Sequence, residues 1–274
     1  MKVLLTILTL SFTLMAICFS SLSHAQEIKV MTYNVWGLPF PIAKRIKRLK
    51  IIKKVLHQYN ADIIGLQEAF TKKARKIIKQ NEYPYTAKGP KGGKFKLCSG
   101  LALLSKHPII KTKTMTFQDC SGFDCYANKG VLFARINLGN QTIDTYLTHL
   151  NADGEDHQVR FKQVIEVIKF VNENSFGEKV IFLGDFNFTD RSILHSLLKT
   201  KLGLYDSFQE YIDDNPDLPS DIQRGITNKN NKRIDYIWTS PEFSTFKSEV
   251  VLKEKLYKNK QLSDHRALLS TFEF

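Results

Sequence analysis

Apolar and polar positions change places along this chain in short runs, and the runs predict a fold dominated by strands. Residues 27–33 predict a strand that ends at Asn34, residues 62–67 a short apolar strand, and residues 101–104 a buried one. Residues 131–138 and 142–148 predict two strands joined near Gly139-Asn140, a hairpin signal. Residues 179–183, 233–238, a segment near 249–252 and residues 266–274 supply the remaining strands. Ile42, Ile46, Leu49, Ile52 and Leu56 recur at helical spacing with Lys and Arg between them, so an amphipathic helix with a basic outer face is expected. Phe161, Val164, Ile165, Ile168 and Val171 predict the apolar face of a second helix, and residues 71–80 and 192–199 predict two more. Residues 209–232, rich in Asp, Asn, Pro and Ser, read as a long loop. Strands with helices set between them imply sheets covered by helices, and no linker divides the chain.

The first 25 residues stand apart. Lys2 gives a positive start, residues 3–19 are nearly free of charge, and Ser23-His24-Ala25 places small residues where a signal peptidase reads. This is the layout of a secretory signal peptide, with cleavage expected after Ala25 and residues 26–274 forming a single catalytic domain that is secreted or periplasmic. The apolar run is short for a bilayer span. Of the 274 residues, 43% are apolar and 24% charged, as in an ordinary globular protein. The net charge of +13 becomes +12 when Lys2 goes, which favours an anionic partner such as nucleic acid, acidic headgroups or a phosphate-bearing substrate. An exported protein with Cys98, Cys120 and Cys125 is expected to form a disulfide. The local pair Cys120–Cys125 is preferred, with pairing through Cys98 as the alternative.

The chemistry gathers at strand ends. Asn34, Glu68, His149, Asp185, Asn187, Asp235 and Asp264-His265 all stand where a predicted strand begins or stops. One polar residue in such a place is usually a turn former. Seven such places, all with metal-binding or proton-transfer side chains, point to a site displayed by a rigid scaffold. The set fits phosphodiester hydrolysis. A hard cation takes oxygen ligands, so Glu68 and the amide oxygen of Asn34 suit Mg²⁺. A His backed by a carboxylate serves as a base for water.

In order along the chain run Met31-Thr32-Tyr33-Asn34-Val35-Trp36-Gly37-Leu38-Pro39, Gly65-Leu66-Gln67-Glu68, Ser99-Gly100-Leu101 with Ser105-Lys106-His107-Pro108, Thr148-His149-Leu150, Gly184-Asp185-Phe186-Asn187, Arg233-Ile234-Asp235-Tyr236 and Ser263-Asp264-His265. This ordered set resembles the endonuclease/exonuclease/phosphatase superfamily with its deoxyribonuclease-I-like fold. The resemblance implies an α/β (α+β) four-layer α/β/β/α sandwich, two mixed β-sheets flanked by helices. The Trp-Gly-Leu-Pro opening before a basic helix, Asn128-Lys129-Gly130, and Leu262-Ser263-Asp264-His265 are similar to neutral sphingomyelinases.

Roles follow from that resemblance. Glu68 is expected to be the principal metal ligand with Asn34 beside it, and Asp264 to support the metal. His265 is expected to activate water and Asp235 to orient it. Asp185 and Asn187 would position water and phosphate, His149 would bind the phosphate or assist the leaving group, and Lys129 would contribute phosphate stabilisation. Mg²⁺ is the expected cofactor, with Mn²⁺ or Co²⁺ as substitutes. The expected partner is a phospholipid at a membrane surface, and no obligate protein partner is inferred. A secreted nuclease or a phosphoinositide phosphatase is the alternative, with nucleic acid as partner in the first case. No aromatic-rich run is present to dip into a membrane; Phe243 and Phe246 are the nearest candidates.

Overall fold

The computed structural model of the chain describes residues 26–39, 47–77, 79, 82–152, 156–175, 177–254 and 256–274. The predicted signal peptide and the positions Ile42 and Ile46 lie outside the described residues. In chain order the elements are β1 (Glu27–Asn34), α1 (Arg48–Leu56), β2 (Ile63–Gln67), β3 (Tyr85–Lys88), β4 (Ala102–Ser105), β5 (Ile109–Thr116), β6 (Gly130–Asn137), β7 (Thr142–His149) and α2 (His157–Asn174). Then follow β8 (Val180–Asp185), α3 (Ile193–Leu202), β9 (Tyr205–Asp206), α4 (Ser207–Asp214), α5 (Ser220–Gln223), β10 (Asp235–Thr239), β11 (Ser244–Val251), β12 (Leu256–Tyr257), β13 (Lys260–Gln261) and β14 (Ala267–Glu273).

Two six-stranded sheets form the body, in the orders β11-β14-β1-β2-β4-β3 and β5-β6-β7-β8-β10-β9. Both are mixed, because β1 runs parallel to β2 and β7 parallel to β8 while the other pairings are antiparallel. Side chains alternate across each strand and divide the apolar residues into three layers. Ile28 and Val30 of β1, Ile181 and Leu183 of β8, and Ile237 of β10 meet between the sheets. Met31, Tyr33, Ile64 and Leu66 face outward onto Leu49, Ile52 and Leu56 of α1. On the other outer face Phe182, Tyr236 and Trp238 pack with Val164, Val167 and Phe170 of α2 and with Leu194 and Leu198 of α3. The result is helix, sheet, sheet, helix. Gly65 sets the sheet spacing locally: a Cβ there would lie 2.6 Å from a Leu183 methyl and 2.7 Å from a Leu147 methyl.

Several local expectations change. Where a helix was expected over 71–80, the described residues form a 3-10 turn at Ala74–Ile77. The segment 209–232 is loop over most of its length, but the end of α4 and the short α5 lie within it, and the Asp206 side chain caps α4 by accepting from the Phe208 and Gln209 amides. In α2, Phe161 and Ile165 are exposed while Arg160 and Gln163 are buried. Those two polar groups go inside because they satisfy loop backbone: Arg160 donates to the Asn151 carbonyl, and Gln163 bonds the Asn151 amide and the Asp119 carbonyl. Arg48, expected on a basic outer face, is buried and donates to the carbonyls of Val35, Leu262 and Trp36. Phe243 is core, against Phe272 and Phe274. His195 bonds Asp206 at 2.9 Å and sits beside Trp238. The preferred pairing, by contrast, is the one observed: Cys120 and Cys125 form a disulfide and Cys98 is free.

Candidate active site

The ends of β1, β2, β7 and β8 and the starts of β10 and β14 meet at one end of the sandwich, and backbone register fixes who stands beside whom. Asp185 pairs with His149 on one side and Asp235 on the other, so three site residues lie on adjacent strands. Asn34 pairs with Gln67, which brings Glu68 next to Asn34 across the parallel β1–β2 pair. Gly184 lets β8 approach β7 closely: its φ is +151°, and a Cβ would lie 2.2 Å from the Thr148 carbonyl oxygen. Glu68 and Asn187 both hold left-handed backbone, with φ of 57° and 51°. Such conformations cost roughly 1–3 kcal/mol in a non-glycine residue and persist where surrounding structure dictates them.

The Asn34 amide group donates to Glu68 Oε1 and to Asp185 Oδ2, both at 3.0 Å. Its oxygen accepts from the Trp36 backbone amide at 3.0 Å. The Asn34 oxygen thus accepts from the backbone with a second lone pair left over, and its NH₂ bridges two carboxylates. Glu68 is half-buried, and its Oε2 atom is buried with no hydrogen-bond partner among the described residues. Burial first, and then the nearby charge of Asp264, raise its pKa, against the Asn34 bond and the charges of Lys129 and His265. A buried carboxylate oxygen without a donor is costly unless a cation meets it. Oxygen donors of this kind suit a hard divalent ion, so Glu68 with Asp264 nearby fits the expected metal.

His265 Nδ1 lies 2.8 Å from Asp235 Oδ2, and its Nε2 is 3.6 Å from Asp185 Oδ2. These three residues could also gather round a metal, since one ligand atom of each lies within 4.8 Å of the others. The short bond already engages Nδ1 and Oδ2, which favours the acid–base reading. Burial pulls the imidazole pKa down, but Asp235 and Asp185 outweigh it and push it up to about 10. Asp185 moves up to about 7, through burial and the charge of Asp235, against His265, Asn34 and Lys129. The imidazole is therefore held charged between the two carboxylates.

Lys129 is buried and reaches inward: its ammonium donates to Asp124 at 2.8 Å, to His149 Nε2 at 3.1 Å and to the Leu150 carbonyl at 3.0 Å. Burial, Lys129 and His265 hold His149 well below its ordinary pKa. His149 is therefore neutral, and its 3.5 Å approach to Asp185 is not an ion pair. The Asn187 amide donates to the Leu150 carbonyl at 3.0 Å, and its backbone amide donates to Asp185 Oδ1 at 3.1 Å. Asp264 lies toward the rim, 3.4 Å from Lys229.

Sequence reasoning missed the residues that hold this end together. Thr227 Oγ1 accepts from the Ile234 and Asp235 amides, at 3.1 and 3.2 Å, and the Thr227 carbonyl accepts from the Arg266 amide. Asn228 bridges to His265. Ser263 donates to the Asn34 carbonyl at 2.7 Å. Thr227 and Asn228 fall in the segment read as loop, and their proximity to Arg233-Ile234-Asp235 was the one available signal.

A model of the Endonuclease/Exonuclease/phosphatase family matches residues 31–265, nearly the whole interval from β1 to His265. The chain belongs to this family. Human sphingomyelin phosphodiesterase 2 is similar to it, 25% identical over 281 residues that cover 91% of this chain. The chain spans less than two thirds of its curated relatives' length: 65% of the human protein, and 34% of the Mycobacterium tuberculosis sphingomyelinase, which is 29% identical over 170 residues, 59% of this chain. Among solved structures, a variant of the beta toxin of Staphylococcus aureus with bound magnesium ions superposes with a TM-score of 0.69 at 21% identity, covering 89% of this chain and 99% of that one. TDP2 of D. rerio, complexed with a single-strand DNA product, superposes at 0.71 and 18%, covering 90% and 99%. These likenesses establish the fold, two mixed sheets flanked by helices. The residues singled out at strand ends, Asn34 included, converge at one end of this fold.

Proposed function

We propose that this chain is a metal-dependent phosphodiesterase that hydrolyses sphingomyelin to ceramide and phosphocholine, acting after export. The observation that carries the chemistry is the buried constellation of an unpartnered Glu68 oxygen and a hydrogen-bonded Asp235–His265 pair, 2.8 Å apart. The substrate class rests on relatives named sphingomyelinase and on the shared opening motif.

In this reading Glu68 holds the divalent ion, with Asp264 adding negative charge beside it. Bound there, a cation neutralises charge on the phosphate and on the leaving oxygen. Asn34 stands beside that ion site and keeps Glu68 and Asp185 at a fixed separation. His265 Nε2 takes a proton from water while Asp235 fixes the imidazole tautomer and stabilises its charge. The water oxygen bonds phosphorus, the bond to the ceramide oxygen breaks, and that oxygen takes a proton from solvent, while the proton of the attacking water rests on His265 until solvent removes it. The Lys129 ammonium, already bonded to Asp124, His149 and Leu150, lends positive charge to the phosphate site, and neutral His149 lies beside it without adding charge. Asp185 and Asn187 orient the water.

The direct test offers the protein sphingomyelin vesicles and plasmid DNA side by side with Mg²⁺. Phosphocholine release without nicking is the expected result; nicking without release overturns the lipid reading and selects a nuclease.

A further inference from the structure

Eleven large apolar side chains are exposed among the described residues, and four of them lie on just two loops, both at the active-site end. Phe95 is 85% exposed and Leu97 39%, on the loop between β3 and β4; Phe123 is 88% exposed and Tyr126 66%, on the loop between β5 and β6. About thirty residues separate them in sequence, which is why no aromatic run is visible there. The fold joins them. The Leu97 amide donates to the Tyr126 carbonyl at 2.8 Å and the Asn128 amide to the Leu97 carbonyl at 3.0 Å. The Asn128 side chain donates to the Lys91 carbonyl at 2.8 Å. The Cys120–Cys125 disulfide closes the second loop around Phe123.

Basic groups share this rim. Lys91, Lys94 and Lys96 are exposed on the first loop, and the Lys94 ammonium lies 5.4 Å from the centre of the Phe95 ring. Ordering nearly bare aromatic rings on a stapled, hydrogen-bonded platform has no value for the core, which these rings do not touch. Rings flanked by lysines match one environment well: the headgroup layer of a phospholipid bilayer, where the ring enters the acyl boundary and the ammonium meets lipid phosphate. The platform is also wired to the chemistry. Asp124, between Phe123 and Cys125, bonds the Lys129 ammonium and the Ala152 amide.

We propose that the joined loops 91–97 and 120–127 form the membrane-docking rim of this protein, seating Phe95, Phe123 and Tyr126 in a bilayer so that the phosphate layer meets Lys129. The proposal rests on the lipid reading of the site. The occupant is the bilayer itself, argued from the complementarity of three lysines and three rings to the headgroup layer.

The test compares wild type with Phe95→Ser/Phe123→Ser and with Lys91→Gln/Lys94→Gln/Lys96→Gln, none of which touches the proposed machinery. Binding is read by co-sedimentation with vesicles of phosphatidylcholine and sphingomyelin, and separately with phosphatidylserine added. Turnover is read on those vesicles and on a short-chain sphingomyelin kept below its micelle concentration. The double aromatic variant should lose about tenfold or more of vesicle affinity and a matching share of vesicle turnover. Its turnover of the monomeric substrate and its Tm should not change. The lysine variant should lose more affinity on the anionic vesicles, and salt should erase that difference. Unchanged vesicle binding by the aromatic variant overturns the proposal. So does a loss of single-stranded oligonucleotide binding in the variants when the wild type ignores vesicles, since the rings would then be stacking platforms. Vesicle binding that depends on these rings, in a protein that releases no phosphocholine, upholds the rim and rejects the lipid hydrolase reading instead.

Discussion

His265 stands between Asp235, which touches its Nδ1, and Asp185, 3.6 Å from its Nε2. Two carboxylates outweigh burial, so the metal-free protein should hold the imidazole charged far above the usual histidine range, up to about 10 against 6.5. The sign follows for stability: a raised histidine contributes fully below about pH 6.5, and that contribution is lost as the pH rises through about 10. An NMR titration of the His265 ring in EDTA should show this high midpoint, and Mg²⁺ should lower it. A midpoint near 6.5 would remove the two-carboxylate picture. Asp235→Asn should bring the midpoint down and cut turnover by about 10³–10⁴, since the wrong tautomer is then favoured. The site residues themselves were legible in the sequence because each closes or opens a strand. The direction of the Asn34 oxygen was not, because it depends on the Trp36 amide folding back over two residues.

At the level of elements, the strands that carry the site were readable, and the misread ones have physical reasons. Strand β5 was missed because it is a mostly exposed edge strand of alternating Thr and Lys, with little apolar pattern. The face of α2 was misassigned because Arg160 and Gln163 are buried by loop carbonyls and amides rather than by apolar contact. Segment 209–232 was taken as loop because its Asp and Asn content masks a helix whose cap is the preceding Asp206. Two substitutions test how elements hold the site. Gly65→Ala forces a methyl into the sheet–sheet contact and should destabilise by about 1–3 kcal/mol in urea unfolding. Thr227→Val frees the Ile234 and Asp235 amides, so turnover should fall about tenfold or more while the urea midpoint moves by about 1 kcal/mol. Loss of stability without loss of turnover would make Thr227 a packing residue only.

On the scale of the molecule, two sheets compress six strand termini and several loops into one charge-rich pole. Such a pole costs stability when its carboxylates ionise. Asp185 is raised to about 7 from 3.8, and Glu68 is raised too. Acids raised in the folded state are stabilising while protonated and lose that contribution as pH rises through their folded pKa. A divalent ion reverses this by favouring the ionised forms. Mg²⁺ should therefore raise Tm by several degrees near pH 8 and much less near pH 5, where protons compete for the same oxygens. An equal shift at both values would mean that the ion binds elsewhere. The order of the motifs made the pole foreseeable from sequence, but its docking rim was hidden, because it exists only where loops far apart in the chain pair with each other.

The central claim is that a divalent ion held by Glu68 enables phosphodiester hydrolysis. It is tested most directly by following phosphocholine release from sphingomyelin vesicles while Mg²⁺ is titrated into EDTA-stripped wild type and Glu68→Gln. Wild type should show no release in EDTA and a saturable recovery with Mg²⁺, and Glu68→Gln should remain at least about a hundredfold lower at every Mg²⁺ concentration. Release in EDTA, or a variant that follows the wild-type curve, would contradict the account.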